Sequence, residues 1–170
     1  MCMNKYCEEC GFVLAEMLLP TEDRIRLVCA DCGHVTYFNP RIVSGTLPVV
    51  DGKVWLLRRG IEPRLRYWTY PAGYQEIDES TEDAALRETF EETGLRVFAT
   101  RLFGVYSRAG SHVVNVVYLA WLVNGDDVPV LTKEALEIAQ FGPDDIPWDE
   151  LAFPSTTLVL QDWVAMLRET

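Results

Sequence analysis

Apolar residues in this chain fall mostly into short runs separated by turn residues, a pattern typical of β-strands. The runs predict strands at 42–50, 53–59, 97–107, 113–123 and 135–141. A shorter run at 68–73 predicts a small strand that leads into a loop. Asp51-Gly52 separates the first two runs and is a strong signal for a two-residue hairpin turn.

Two segments carry helix signals instead. Ser80 is a good N-cap with Asp83 three residues later, and Gly94 is placed to end that helix. Ser155 is a candidate cap for a second, amphipathic helix at 156–168. Strands outnumber helices, and the two helices lie far apart in sequence. This order predicts an α/β fold, an α/β/α sandwich around a mixed sheet.

Four cysteines near the N-terminus form two Cys-x-x-Cys-Gly motifs: Cys7, Cys10, Cys29 and Cys32. Their spacing is that of a tetrahedral Cys₄ zinc site, in which each glycine permits the tight turn after the second thiolate. Disulfides or a redox pair are the alternatives. No signal peptide precedes the cysteines, and one motif would suffice for redox work. Four protein thiolates leave no open coordination position, so a Zn²⁺ here is expected to be structural.

The chain length of 170 residues suits a small ribbon followed by one larger domain. Residues 1–39 are predicted to form a zinc ribbon, a small β module of two hairpins. Residues 40–170 are predicted to form the second domain, with the joint between the two at 37–40. Three apolar residues are expected to alternate into the second cysteine motif: Ile25, Leu27 and Val28.

The composition is that of an ordinary soluble globular protein, with 49% hydrophobic and 24% charged residues. No apolar run approaches the ~20 residues of a membrane span, so no membrane partner and a cytoplasmic location are expected. The formal net charge of −11 repels nucleic-acid backbones, so no nucleic-acid partner is expected either. The oligomeric state is left open, with a homodimer as one option. Cys2 and His34 are assigned no role.

Glu88, Glu91 and Glu92 stand at i, i+3 and i+4 in the first predicted helix, so they project from one face. Like charges at this spacing repel, at a cost of roughly 0.2–0.5 kcal/mol per pair. A bound cation would offset the repulsion, and oxygen ligands without nearby sulfur or imidazole favour Mg²⁺ or Mn²⁺ over zinc. Taken alone, the cluster is equally consistent with a solvated acidic helix face.

The three glutamates belong to a longer motif. Gly73 is followed after five residues by Glu79, and after seven more by Arg-Glu-Thr-Phe-Glu-Glu-Thr-Gly-Leu at 87–95. This motif resembles the signature of the Nudix hydrolases at every charged and glycine position. The one departure is Thr89, where that family usually carries an aliphatic residue. The resemblance implies an α/β/α fold and hydrolysis of a nucleoside diphosphate linked to another moiety.

The resemblance also implies roles for individual residues. The three glutamates would be ligands of the catalytic metals, together with a backbone carbonyl of Ala72 or Gly73. Glu79 and Arg87 would pair and brace the loop against the helix. A carboxylate-bound divalent metal can neutralise charge on phosphoryl oxygens and lower the pKa of a bound water.

The general base is expected outside the motif. In this superfamily a later glutamate often has that role, and the candidates here are Glu134 and Glu137. His112, in a predicted loop, is a weaker candidate.

An anionic substrate needs local positive charge in so acidic a protein. Four of the fifteen basic residues fall within nine positions: Arg58, Arg59, Arg64 and Arg66. They are either a substrate-binding cluster or a solvated loop, and Arg58 and Arg59 are the candidate binders. Because adenine is flat and apolar on both faces, Tyr37 at the predicted joint and Tyr74 beside the metal loop are candidates to contact it.

A Cys₄ ribbon before a Nudix domain resembles the bacterial NADH pyrophosphatases. The Ser-Gln-Pro-Trp-Pro-Phe-Pro stretch that those enzymes carry after the motif is absent, because 102–109 reads Leu-Phe-Gly-Val-Tyr-Ser-Arg-Ala. The chain is more similar to ribbon-bearing Nudix enzymes that act on ADP-ribose and FAD. Beyond the ribbon and the motif, that likeness rests on residues 37, 39–40, 68–69, 71–74, 134–137, 145–147 and 151–153.

The sequence therefore predicts Mg²⁺-dependent hydrolysis of the pyrophosphate bond of an AMP-containing nucleoside diphosphate derivative such as ADP-ribose or FAD, releasing AMP. NADH diphosphatase activity is the alternative within the same chemistry. The alternatives of other classes are a nucleotide-sensing domain without turnover and a scaffold whose ribbon binds a partner. The intact set of repelling glutamates argues against a pure sensor.

Overall fold

The computed structural model describes residues 5–169, so Cys2 lies outside the described residues. The chain divides into two compact units, one ending at Asn39 and the other beginning at Pro40. The predicted boundary lies at this division, and the assignment of residues 1–39 and 40–170 to two domains stays a prediction. Neither helix among residues 5–169 has the length and apolar character needed to span a membrane.

The first unit is a three-stranded antiparallel sheet in the order β1-β2-β3. Its strands are β1 (Leu14–Leu18), β2 (Ile25–Cys29) and β3 (Val35–Thr36). The two predicted hairpins are therefore present and share β2. The expected alternation is wrong at Ile25, which is 64% exposed, whereas Val28 is buried. The reason is position, since Ile25 begins β2 at the end away from the cysteines.

The second unit is built on a mixed sheet in the order β10-β5-β4-β9-β8, with β6 added to β5 and β7 added to β4. Only β4 and β9 run parallel among the described strand pairs of this sheet. The strands are β4 (Arg41–Val50), β5 (Lys53–Arg59), β6 (Trp68–Thr69), β7 (Ala72–Tyr74), β8 (Val97–Tyr106), β9 (Val113–Leu122) and β10 (Ala135–Phe141). The small strand predicted at 68–73 is thus two short strands that pair with different neighbours.

The turn and cap signals of the first predicted helix are confirmed. Asp51 and Gly52 both have positive φ, at 50° and 72°, as a two-residue hairpin turn requires. Helix α1 (Thr81–Thr93) begins with a capping box, in which the Ser80 hydroxyl accepts from the Asp83 N–H at 3.1 Å. Gly94 ends the helix in the left-handed conformation, with φ 71°.

The cap predicted for the second helix is wrong. Helix α2 (Pro154–Arg168) has Phe153 at its N-cap position, without a side-chain hydrogen bond, and Ser155 lies inside its first turn. The sequence did hold the correct signal, because proline is favoured at the first helical position. A 3₁₀ turn (Trp148–Glu150) precedes this helix.

The two helices pack on opposite faces of the sheet. On one face the hydroxyls of Thr46 in β4 and Thr89 in α1 lie 2.7 Å apart. The next residue, Leu47, points to the other face and shares a core cluster with Leu160 and Trp163 of α2. The predicted α/β/α sandwich is therefore confirmed. The Thr89 hydroxyl, buried between helix and sheet, also explains how a polar residue is accommodated at that motif position.

Candidate active site

The candidate active site starts where β7 passes under α1. Glycines allow the close approach, because a β-carbon at Gly73 would overlap the carboxylate of Glu88. At Gly45, on the neighbouring strand, a β-carbon would overlap Ala72. The sequence keeps glycine at both positions because the backbone of β7 is packed between the helix and β4.

Glu92 is the buried member of the carboxylate cluster, with 5% of its surface exposed. Its Oε2 accepts a hydrogen bond of 2.9 Å from the Ala72 N–H, which ties α1 to the metal loop. Burial raises the pKa of Glu92 to about 8 against the opposing effect of this bond, and the nearby charges of Glu88 and Glu134 raise it further. A cation at this carboxylate would stabilise its ionised form.

Arg87 forms ion pairs with three of the other glutamates at the site. Its guanidinium donates to both oxygens of Glu79, at 2.6 and 2.9 Å, and to the Tyr74 carbonyl at 3.2 Å. It also donates to Glu88 at 2.8 Å and to Glu91 at 3.0 Å. The bidentate hydrogen bonds from Arg87 lower the pKa of Glu79 to about 2. The structure thus brings together the Glu79–Arg87 pair that the motif implied.

The three helix glutamates differ in their environment despite sharing one face. The Glu88 side chain is 15% exposed and burial raises its pKa, whereas that of Glu91 is 56% exposed. Arg87 lies between these two carboxylates, and Glu92 turns toward Ala72. Among residues 5–169 the glutamates are therefore not gathered as tightly as the cysteines of the first unit.

A cavity of about 750 Å³ opens in front of these groups. Six carboxylates line it: those of the three helix glutamates, of Glu134 in the loop before β10, and of Glu62 and Glu76. Two cationic side chains, Arg59 and Arg108, line it as well, with aromatic walls from Tyr74, Tyr106 and Phe153. An acidic cluster thus faces cationic and aromatic groups across one space, which suits a phosphorylated ligand that also carries rings.

Besides the three helix glutamates, five predicted candidates reach this cavity: Ala72, Gly73, Tyr74, Arg59 and Glu134. Arg59 is held by a 2.8 Å bond from its Nε to the Pro63 carbonyl, and its guanidinium lies 5.2 Å from the centre of the Phe153 ring.

Arg58 and Glu137 do not line the cavity, so the structure does not support the roles predicted for them. They pair with each other at 3.4 Å across β5 and β10, and Arg58 also contacts Glu150 at 3.2 Å. Side chains alternate along a strand, so Arg58 points away from the cavity that its neighbour Arg59 faces. His112, Arg64 and Arg66 are likewise absent from the described cavity lining.

Several lining residues were not singled out from the sequence. They include Tyr106, Arg108, Asn115 and Phe153. For Asn115 a signal was present, because it is the polar residue of the run Val-Val-Asn-Val-Val at 113–117. Tyr106 lies beside Asn115 only because β8 pairs with β9, which the sequence does not reveal.

The four cysteines of the first unit form a second candidate site, and all of their sulfur atoms lie within 4.8 Å of one another. The Cys7–Cys32 and Cys10–Cys29 sulfur pairs are 3.6 and 3.4 Å apart, too long for disulfides. Tetrahedral Zn–S bonds place sulfurs about 3.8 Å apart, so the residues present fit zinc.

The two cysteine motifs have matching turns. Gly11 and Gly33 both have φ 75°, and each donates its N–H to the carbonyl of the first cysteine of its motif, at 2.9 and 3.0 Å. A hydrogen bond from the Cys32 N–H lowers the pKa of Cys29 to about 7. The pKa values of Cys10 and Cys32 are raised, because hydrogen bonds with neighbouring thiols and burial outweigh the opposing backbone hydrogen bonds, so the four sulfurs do not ionise alike.

Tyr37 belongs to this first unit. Its hydroxyl donates to Glu22 at 3.1 Å, and the Arg26 guanidinium lies 5.0 Å from its ring centre. The ring is half exposed, and its predicted contact with adenine stays a prediction.

The fold, the glycine-backed loop and the carboxylate helix together define a hydrolase of the Nudix class. Residues 40–160 match the model of the NUDIX domain, so the chain belongs to the NUDIX family. Residues 5–38 match a second model, described as the Nudix N-terminal zinc ribbon.

Individual relatives agree with this assignment. The chain is similar to a NUDIX hydrolase from Nitrosomonas europaea of known crystal structure, with 32% identity, a TM-score of 0.89, and 97% of this chain and 93% of that chain covered. It is 32% identical over 152 residues to the NAD-capped RNA hydrolase NudC of Haemophilus influenzae, covering 87% of this chain and 54% of that protein. An ADP-ribose pyrophosphatase from Methanocaldococcus jannaschii is 31% identical over 94 residues, covering 53% of this chain and 56% of that protein. The chain thus spans about half the length of these curated relatives.

Proposed function

We propose that this chain hydrolyses the pyrophosphate bond of an AMP-containing nucleoside diphosphate derivative, such as ADP-ribose or FAD, and releases AMP. One observation carries the proposal: six carboxylates, two arginines and three aromatic rings line the same cavity. Carboxylates suit a divalent metal, the arginines suit phosphate, and the rings suit a base or a second ring system.

Glu88, Glu91 and Glu92 would hold Mg²⁺ or Mn²⁺, with a carbonyl from Ala72 or Gly73. Their oxygens are hard ligands, and the buried Glu92 has a backbone N–H as its hydrogen-bond partner, so the donor set fits such a cation. When bound, the metal supplies charge neutralisation for the diphosphate and a water of lowered pKa.

The protein's own residues position the metal ligands and the substrate. Glu79 and Arg87 hold the loop 74–79 against α1, which keeps Glu88 and Glu91 at the cavity wall. Arg59, fixed by the Pro63 carbonyl, presents positive charge to the phosphate groups. Both effects position the substrate for in-line attack rather than contribute covalent chemistry.

Glu134 is the general base in this proposal. It lines the cavity close enough to Glu88 and Glu92 to raise their pKa values, whereas Glu137 is paired with Arg58. Glu134→Gln should reduce kcat by about 10²- to 10⁴-fold. Glu137→Gln is the matched control and should retain near wild-type turnover.

The decisive experiment is chromatography of products after incubation with ADP-ribose, FAD, NADH and nucleoside triphosphates, with and without Mg²⁺. AMP release from at least one of the first three, dependent on the metal, supports the proposal. Efficient hydrolysis of triphosphates alone would overturn the substrate class. Binding without turnover by any of these compounds would favour a nucleotide sensor.

A second candidate is hydrolysis of NAD or NADH, favoured by the similarity to proteins named NAD-capped RNA hydrolase. The same panel tests it, extended by an RNA that carries NAD at its 5′ end. The net charge of −11 opposes binding of an RNA backbone, so free NADH should be cleaved faster than the capped RNA at low salt. The predicted Zn²⁺ in the ribbon, the cytoplasmic location and a homodimer stay predictions.

A further inference from the structure

A row of four side chains crosses the sheet at the cavity, one from each of four neighbouring strands. The register pairs Tyr74 of β7 with Val43 of β4, Val43 with Asn115 of β9, and Asn115 with Tyr106 of β8. Directly opposed residues lie on the same face of a sheet, and all four line the cavity. The row therefore runs from the metal loop at Tyr74 out to the edge strand β8.

The two tyrosines at the ends of the row are held from outside it. The Tyr106 hydroxyl donates to Asp162 of α2 at 2.9 Å, and the ring lies over Gly104, where a β-carbon would approach it to 2.8 Å. The Arg41 guanidinium lies 5.5 Å from the centre of the Tyr74 ring. Two fixed aromatic groups thus flank the Val43–Asn115 pair.

Asn115 is the amide within this row, and most of its hydrogen-bonding capacity is unused. Its Nδ2 donates to the Tyr106 carbonyl at a long 3.5 Å, and its Oδ1 has no hydrogen-bond partner among residues 5–169. The side chain is half-buried beside apolar and aromatic surface. A half-buried amide with a free acceptor and a free donor is costly unless a ligand or water pairs with it.

We propose that Asn115 reads the edge of the adenine ring in this cavity. Its Oδ1 accepts from the adenine N6 amino group and its Nδ2 donates to N7, the bidentate pairing that an amide makes with adenine. Two strand spacings, about 10 Å, separate Asn115 from Tyr74, which leaves room for a ribose between the base and the metal loop. The inference rests on the proposed function, since it takes an AMP moiety as the group that enters.

Calorimetric binding of three nucleotides tests the pairing atom by atom. AMP is compared with purine riboside 5′-monophosphate, which lacks the N6 amino group, and with 7-deaza-AMP, which lacks N7. In the wild type each analogue should bind about 2- to 12-fold more weakly than AMP, the range for one lost hydrogen bond. In Asn115→Leu, which keeps the size of the side chain, all three should bind alike.

Asn124→Leu is the matched control, because Asn124 lies in an exposed turn with Asp127 and is not part of the cavity lining. It should keep the wild-type differences between nucleotides. Asn115→Asp, which can only accept when ionised, should keep the N6 difference and lose the N7 difference. Asn115→Asp also tests the pairing if the leucine variant does not fold. With a cleavable substrate, Asn115→Leu should raise KM and change kcat little, since the pairing exists in ground and transition states alike.

Equal binding of AMP and both analogues by the wild type would overturn the proposal, as would differences that persist in Asn115→Leu. The base would then lie elsewhere, for example at Phe153 and Leu158, which also line the cavity. Binding needs no turnover, so an inactive protein that still distinguishes the three nucleotides would remove the proposed function and keep this inference. A protein that cleaves the substrate but binds the three nucleotides equally would keep the proposed function and remove this inference.

Discussion

The two clusters of candidate metal ligands in this protein are built in opposite ways. Four cysteines come from two matching turns, and their sulfurs face one another with all distances within 4.8 Å. The three helix glutamates come from one turn of α1 and line one wall of an open cavity. The cysteine sulfurs surround a common centre. Among the glutamates, by contrast, Arg87 lies between Glu88 and Glu91 and donates a hydrogen bond to each.

The difference teaches how coordination follows from the arrangement of the backbone. Ligands that face one another from two turns saturate a tetrahedral ion, so the ion is held for structure. Ligands along one helix face leave the opposite side of the ion to water and substrate, which an enzyme needs. The arginine that compensates the carboxylates also explains how the helix tolerates like charges at adjacent positions.

The largest difference between the two clusters should appear when a chelator is added. Mild EDTA should abolish turnover, and added Mg²⁺ or Mn²⁺ should restore it, because carboxylate-bound metal exchanges readily. Zinc should stay in the ribbon under the same treatment, and elemental analysis should find close to one zinc per chain. Thiol titration of the folded protein should accordingly leave four of its five cysteines unreactive.

A fluorescence control is available, because all five tryptophans lie beyond residue 40 and none lies in the ribbon. Tryptophan emission should therefore stay unchanged while a mercurial releases zinc, unless the two units unfold together. Protein purified without zinc, or with its cysteines oxidised to disulfides, would contradict the account of the ribbon.

Substitution of one buried glutamate should have the next largest effect. Glu92→Gln keeps an oxygen for the Ala72 N–H but removes the charge that holds metal. We expect kcat to fall by about 10²- to 10³-fold, the range for the loss of one electrostatic stabiliser. Unfolding should require at least as much denaturant as in the wild type, because burial disfavours the ionised form of Glu92 and raises its pKa to about 8, whereas the amide of glutamine carries no charge. Glu82→Gln, in the exposed first turn of the same helix, is the control, and wild-type turnover by Glu92→Gln would show that this face of α1 is not the metal site.

Local signals predicted much of this structure from the sequence. The capping box at Ser80, the left-handed Gly94 and the Asp51-Gly52 turn each depend on a few adjacent residues, and each is confirmed. The cysteine spacing likewise places both turns of the ribbon, since each loop is short.

Long-range pairing limited the prediction of the site. Arg58 and Glu137 carry the residue types expected of a substrate binder and a base, but their strands pair and their charges neutralise each other. Arg59 and Glu134, each close in sequence to one of them, reach the cavity instead. Which of two neighbouring residues faces the site depends on strand register, and composition alone does not give it.

The pH dependence of the free energy of unfolding should distinguish the Glu79–Arg87 pair from an ordinary surface ion pair. The pKa of Glu79 in the folded protein is about 2, below the value of about 4.3 for a free glutamate. Its ionised form therefore stabilises the fold above pH ~4.3, and this contribution is lost as the pH falls toward 2. Denaturant unfolding followed by tryptophan emission should show a shallower loss between pH 5 and 2.5 in Glu79→Gln than in the wild type.

Glu150→Gln is the control for this prediction, because Glu150 pairs with Arg58 at 3.2 Å but its side chain is 56% exposed. Exposed pairs contribute little, so the acid profile of this variant should follow the wild type. Identical profiles for the wild type and Glu79→Gln would mean that the Glu79–Arg87 pair does not stabilise the folded state.

The smallest expected effect concerns the turns of the ribbon. Gly11 and Gly33 share φ 75°, and a β-carbon at either would meet no atom within 4 Å. The cost of alanine is therefore purely conformational, roughly 1–2 kcal/mol at each position. Because zinc binding and ribbon folding are coupled, each variant should bind zinc about 5- to 30-fold more weakly in competition with a chelator. Gly125→Ala, at a glycine with equally open surroundings but no positive φ, should leave zinc affinity unchanged. Unequal losses at Gly11 and Gly33 would show that the two turns, despite their matching geometry, do not contribute equally to the cysteine site.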